Sequence, residues 1–275
     1  MIDYDPCMAR RFAAILLAAT AALGVTTTPA QAAVDFTGTV KLDNCSGSLV
    51  RLPDSSPSDK ALVLTNGHCV EFIKAGEVYV DRPADRTFKL LNGSGSEIAT
   101  VQSTRLVYAT MTGTDAALYR LDKTYQQLQQ QHGGRALELS AARPSAGTEI
   151  RIASGYWKKI YSCQIDGFVH QVREASWTWR DSLRYTPSCD TIGGTSGSPI
   201  IDNASGKVVG VNNTGNESGG RCTMNNPCEV DAAGKITVRR GTNYGQQTFG
   251  LVACFGPRTT LDLALPRCQV AKPAR

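Results

Sequence analysis

The chain has 275 residues and a net charge of +5. That charge is spread along the sequence, with Lys158-Lys159 and Arg239-Arg240 the only adjacent basic pairs after the N-terminal region, which argues against the clustered basic face of a nucleic-acid binder. No stretch approaches the ~20 consecutive apolar residues of a membrane span. Glycine is plentiful, charge is moderate, and short alternating or β-branched runs recur between turn residues, a pattern of β structure.

Residues 1–32 read as an export signal. Arg10-Arg11 supply the charged region, residues 12–25 a short apolar core, and Ala30-Gln31-Ala32 a small-x-small cleavage site, with the cut after Ala32. Translation starts at Met1 or at Met8. Cleavage removes Cys7 and leaves Cys45, Cys69, Cys163, Cys189, Cys222, Cys228, Cys254 and Cys268. An even number of cysteines in an exported chain implies disulfides, although spacing alone leaves many pairings open. A metal site would need Cys-x-x-Cys or His-x-x-His spacings, which are absent, so neither metal nor cofactor is expected.

Strands are predicted at 36–42, 48–52, 61–65, 77–80, 98–101, 106–109 and 116–121, with loops at 53–58 and 92–96 set by Pro, Ser, Asn and Gly. From Asp122 the character shifts. Residues 125–131 lack β-branched side chains and form a short helix that ends at His132-Gly133-Gly134. His132 is a loop histidine. Strands resume at 149–153, 168–172 and 207–211. His170 alternates with apolar neighbours as a strand-face residue, and Trp177-Thr178-Trp179 marks a strand packing aromatic rings. The tail from Cys254 to Cys268, with Pro257 and Pro266, reads as a stapled loop.

Three stretches carry chemistry. The apolar run Leu62-Val63-Leu64 leads through Thr65-Asn66-Gly67 into His68-Cys69, Asp115 opens the apolar run Ala116-Ala117-Leu118, and Thr191 to Ile200 sets Ser196 among glycines and small residues. A serine hydroxyl is a poor nucleophile until a base takes its proton. Histidine does this near neutral pH, and a buried carboxylate fixes its tautomer and stabilises the imidazolium.

These stretches resemble those of trypsin-like (chymotrypsin-fold) serine proteases. TNGHC is similar to their TAAHC, DAAL to their DIAL, and GTSGSP to their GDSGGP and to the GNSGSP of bacterial secreted, glutamyl-endopeptidase-like members. Cys45-Ser46-Gly47-Ser48-Leu49-Val50 resembles their CGGSL strand. The chain order His68, Asp115, Ser196 differs from the Asp-His-Ser order of subtilisins and the Ser-Asp-His order of α/β-hydrolases. The resemblance runs from about residue 40 to 215 and stops near Val252, since the tail is unlike the family's C-terminal helix.

The resemblance implies an all-β fold of two antiparallel six-stranded barrels with the active site between them. The first barrel is expected at 33–121, a connection at 122–146, and the second barrel with its tail at 147–275. The implied activity is that of a secreted, extracellular serine endopeptidase, monomeric, acting on a polypeptide through an acyl-enzyme. Ser196 is the implied nucleophile, His68 the base and Asp115 its orienter. The N–H groups of Gly194 and Ser196 are the implied oxyanion hole. Asn212, Asn213, Thr214 and Gly215 fall where the family pairs its backbone with an extended substrate. Asp190, six residues before Ser196, falls where a trypsin-like carboxylate would select Arg or Lys. The resemblance also implies a Cys45–Cys69 bridge. For the other cysteines, nearest-neighbour pairing gives Cys163–Cys189, Cys222–Cys228 and Cys254–Cys268. Thr195 carries no charge, so the nucleophile loop must be shaped by hydrogen bonds and a nearby disulfide rather than by an ion pair with the chain's N-terminus. An esterase with the same triad and a silent binding module on a protease scaffold are the alternative readings.

Overall fold

The computed structural model describes residues 1–2, 35–256 and 259–274. Apart from its first two residues, the expected export segment lies outside them, as do its cleavage site and Cys7.

The elements run in chain order as β1 (Thr39–Lys41), β2 (Ser46–Arg51), β3 (Lys60–Thr65), β4 (Val78–Pro83), β5 (Thr87–Leu91), β6 (Glu97–Thr110), β7 (Ala116–Thr124), α1 (Tyr125–His132) and β8 (Leu137–Glu138). They continue as β9 (Glu149–Ser154), β10 (Lys159–Glu174), β11 (Trp177–Tyr185), β12 (Pro199–Asp202), β13 (Val208–Gly215), β14 (Cys228–Val230), β15 (Ile236–Thr237), β16 (Asn243–Gln247) and α2 (Phe249–Val252). The first sheet runs β1-β5-β6-β7-β3-β2 and closes on itself through β1–β2 pairing. The second runs β11-β16-β13-β12-β9-β10 and closes through β10–β11. Each is a closed ring of six antiparallel strands, which leaves no open edge within the ring. β4 and the short parallel strand β8 attach outside the first ring, and β14 and β15 outside the second.

The alternation of β3 explains how the rings pack. Successive strand side chains point to opposite faces. Val63 joins Leu49, Phe88, Tyr119 and Leu121 inside the first ring. Leu62 and Leu64 face the other way, onto Val208 and Val211 of β13 and Leu251 of α2. Both faces of β3 are therefore buried, which is why its sequence is an unbroken apolar run. Ile150, Ile152, Leu183, Ile200 and Val209 fill the second ring. Two indoles stitch the rings together beside the site: Trp177 Nε1 donates to the Ile73 carbonyl at 2.8 Å and Trp179 Nε1 to that of Met111 at 3.0 Å.

Some elements differ from the sequence reading. The strands expected at 98–101 and 106–109 are one strand, β6, because two bulges between Ser103 and Tyr108 absorb the irregular polar stretch without ending the pairing. The strand expected at 168–172 is part of the C-terminal half of the much longer β10. β5, β8, β14, β15 and β16, each of five residues or fewer, are not among the expected strands. Helix α1 extends through His132. It is closed at its start by a capping box between Thr124 and Gln127 and at its end by Gly133, whose φ is +70°.

Four disulfides join Cys45–Cys69, Cys163–Cys189, Cys222–Cys228 and Cys254–Cys268. The last staples the tail, which also meets the first ring through a 2.9 Å hydrogen bond from the Tyr108 hydroxyl to the Ala271 carbonyl. Among the described residues no helix is long and apolar enough to cross a membrane.

Candidate active site

β3 delivers the chain into a tight turn at Asn66-Gly67-His68. Gly67 is required there: a Cβ would lie 2.2 Å from the Thr110 carbonyl oxygen and 3.0 Å from Asp115 Oδ1. The Cys45–Cys69 bridge ties the next residue back to the chain just before β2. Asp115 precedes β7 and is fully buried. Its carboxylate meets His68 twice, Oδ1 accepting the His68 backbone N–H at 3.1 Å and Oδ2 lying 2.8 Å from Nδ1. Asn66 Nδ2 holds the Asp115 carbonyl at 2.8 Å. Burial disfavours the imidazolium, but the charge and hydrogen bond of Asp115, with the charge of Glu174 behind them, outweigh it. The His68 pKa is raised above its ordinary value.

Ser196 comes from the second ring, in the loop before β12. Gly197, with φ +81°, is forced by space as well: a Cβ would meet the Ser46 carbonyl oxygen at 2.1 Å and Thr65 Oγ1 at 2.2 Å. The loop is held by hydrogen bonds throughout. Ser46 N–H donates to the Ser196 carbonyl at 2.8 Å, and Ser46 Oγ donates to that of Gly194 at 3.1 Å. Asn212 Nδ2 reaches Thr195 Oγ1 at 3.0 Å. Uncharged Thr195 is buried, and its hydroxyl donates to the Ile192 carbonyl. The Ser196 hydroxyl donates to the Asn213 carbonyl at 3.1 Å. Among the described residues, the N–H groups of Gly194 and Ser196 find no acceptor within the protein.

His68, Asp115 and Ser196 line one cleft of about 230 Å³ together with Asn212, Asn213, Thr214 and Gly215. Asp190 does not join them. It is exposed, outside the cleft lining, and its charge falls near Tyr161 on β10. The reason is the cysteine placement: Cys189 is fastened to Cys163 on β10, and its carbonyl accepts from Asn243 Nδ2 at 3.2 Å, so the chain turns outward at 190 before re-entering the cleft at Thr191. Neutral groups stand where the carboxylate was expected, with Thr191 Oγ1 donating to Asn243 Oδ1 at 3.0 Å.

Several cleft residues escaped the sequence reading. Phe72, Trp177 and Trp179 form an aromatic wall, with Phe72 and Trp177 stacked at 5.9 Å. Glu174, only 4% exposed, accepts from Thr214 Oγ1 at 2.6 Å and from the Asn225 N–H at 2.7 Å. Burial pushes its carboxyl above the usual range against those two donors. The alternation of Trp177-Thr178-Trp179 was a usable signal for the wall, whereas Glu174 had none. His170 is exposed on β10, and His132 ends α1. Among the described residues, a group with metal-ligand atom types, Cys45, His68 and Cys69, lies within 4.8 Å, but both sulfurs are in the disulfide and offer no thiolate.

The sequence profile of the trypsin-like peptidase domain matches residues 45–211, from the first disulfide through His68, Asp115 and Ser196. The chain belongs to that family. It is a serine-type peptidase with the chymotrypsin-like two-barrel fold. No curated protein matches it by sequence. Among solved structures, the MamO protease domain from Magnetospirillum magneticum shares the fold with a TM-score of 0.50 at 13% identity, covering 81% of this chain and 98% of that one. A Nocardiopsis protease aligns with a TM-score of 0.44 at 14% identity over 78% of this chain and 92% of that one. A Glu endopeptidase aligns with a TM-score of 0.42 at 19% identity over 77% and 85%.

Proposed function

We propose that this protease is exported and cleaves polypeptides internally through an acyl-enzyme on Ser196. The observation that carries the reading is the doubly bonded His68–Asp115 pair facing the same cleft as Ser196. Asp115 fixes the tautomer with the proton on Nδ1, leaving Nε2 as the base. The Ser196 hydroxyl turns from the Asn213 carbonyl to Nε2, loses its proton and attacks the scissile carbonyl. The tetrahedral oxyanion is received by the unengaged N–H groups of Gly194 and Ser196, and His68 then protonates the leaving amine. Water repeats the sequence to release the acyl group. An extended substrate lies along Asn213-Thr214-Gly215, and Asp190, outside the cleft, does not select Arg or Lys on the acyl side of the cut. Four disulfides support export to an oxidising compartment.

The test is labelling of the secreted protein by a fluorophosphonate probe, followed by casein and short-ester assays and a peptide-library profile. Wild type labels and cleaves casein. Ser196→Ala, His68→Ala and Asp115→Asn stay folded and lose several orders of magnitude in kcat/KM, since these groups act as a unit. Ester cleavage without casein cleavage would replace the endopeptidase with an esterase. Absence of labelling would leave a silent binding module.

A further inference from the structure

The peptide between Gly193 and Gly194 has little of its own to orient it. Glycine on both sides removes the steric preference that side chains impose, and a Cβ on Gly193 would meet nothing within 4 Å. Its direction nevertheless matters to the oxyanion hole. In a trans peptide the carbonyl of one residue and the N–H of the next point opposite ways. Rotation of this plane would replace the Gly194 donor with the Gly193 carbonyl oxygen and turn an attractive dipole into a repulsive one.

One side chain grips that plane. Trp157 Nε1 donates to the Gly193 carbonyl at 2.7 Å. Trp157 is 50% exposed, so its indole is not held there by core packing. It sits in the turn between β9 and β10, and that turn is itself anchored. Gly155 approaches the first ring so closely that a Cβ would lie 2.2 Å from the Val40 carbonyl oxygen. The Tyr156 N–H donates to Ser46 Oγ at 3.1 Å, the hydroxyl that also holds the Gly194 carbonyl. The Tyr156 ring meets the indole edge-on at 5.0 Å. The carbonyls on either side of the Gly194 N–H are thus each held by a side chain, Gly193 by Trp157 and Gly194 by Ser46.

We infer that Trp157 is a positioning residue for catalysis: its indole N–H holds the Gly193 carbonyl away from the reacting centre and keeps the Gly194 N–H free for the oxyanion. The inference rests on the oxyanion-hole reading above.

The experiment compares wild type with Trp157→Phe, Trp157→Ala and benzothienylalanine installed at 157, which keeps the bicyclic ring but has sulfur in place of the N–H. Melting temperature and far-UV circular dichroism report folding. The expected result is a drop of about tenfold to a hundredfold in kcat on a short ester and in the fluorophosphonate inactivation rate, with KM within about twofold, a loss below that of deleting an oxyanion donor outright. Phe, Ala and benzothienylalanine should lose similar amounts, because all three lack the donor. Wild-type rates in the Phe and benzothienylalanine proteins would overturn the inference, whether or not Ala is impaired, since the ring alone would then suffice. That result, with wild type still labelled, leaves the protease reading intact. A wild type that does not react with the probe overturns both.

Discussion

The two halves of the candidate active site are built differently. His68 and Asp115 are held by neighbours within the first ring: the turn after β3, the Asn66 amide, the Cys45–Cys69 bridge and the start of β7. The Ser196 loop is held from both rings. Ser46 reaches it from the first ring, Trp157 from the β9–β10 turn and Asn212 from β13. The base is therefore positioned by one barrel, with Glu174 of the other adding to its electrostatics, and the nucleophile loop is held by its own barrel together with Ser46 of the other. Damage to the first half should appear mainly in stability and in the titration of His68, and damage to the second mainly in turnover.

Removing the bridge by Cys45→Ala with Cys69→Ala should have the largest effect on stability, about 3 kcal/mol for a loop spanning 24 residues. Chemical denaturation under non-reducing conditions reads it, and an unchanged midpoint would mean that the His68 turn is held without the bridge. Ser46→Ala should come next. It keeps the backbone N–H that reaches Ser196 but strands the Gly194 carbonyl and the Tyr156 N–H, at about 1–3 kcal/mol for buried groups left unpaired. Turnover should fall while the melting temperature moves only modestly; the reverse pattern would make Ser46 a structural residue alone.

Glu174→Gln should have the smallest effect and bears on the first half only. In the proposed mechanism activity requires neutral His68, so it should rise with pH through the His68 pKa. The Glu174 charge is among the groups that raise this pKa, so its removal lowers the pKa and moves the acid limb of kcat/KM to lower pH. Asp115, the stronger influence, remains. An acid limb that stays in place in the Gln variant would show that His68 does not feel Glu174.

The same contrast governs what could be read from the sequence. The His68 turn is a local pattern, an apolar strand running into Thr-Asn-Gly-His-Cys, and local patterns survive in one dimension. The β character was legible for a similar reason, since runs such as Leu62-Val63-Leu64 announce buried strands, whereas the two-barrel fold came only with the resemblance to trypsin-like proteases. The supports of Ser196 were not legible as such: Ser46 stands in the stretch that resembles the CGGSL strand, but nothing in that pattern points to a loop so distant in sequence, and Trp157, on the β9–β10 turn, carries no marking residue pattern. Asp190 shows the opposite error. Counting back from Ser196 placed it in the pocket, but the cysteine that anchors this segment stands at 189, and a shifted anchor changes which residues face inward. Trp177-Thr178-Trp179 was read as a strand packing rings. It is a strand, but its indoles also line the cleft and bond beside it to the carbonyls of Ile73 and Met111 in the first ring.

Those two indole bonds, and the tail that returns to Tyr108, fasten the barrels to each other at separate places. A hinge between them would have to break both fastenings before it could swing. The cleft is accordingly a fixed groove rather than a jaw. Under the proposed function, a polypeptide would have to present an extended segment to enter it, so the expected substrates are exposed loops and unfolded chains rather than compact folded proteins.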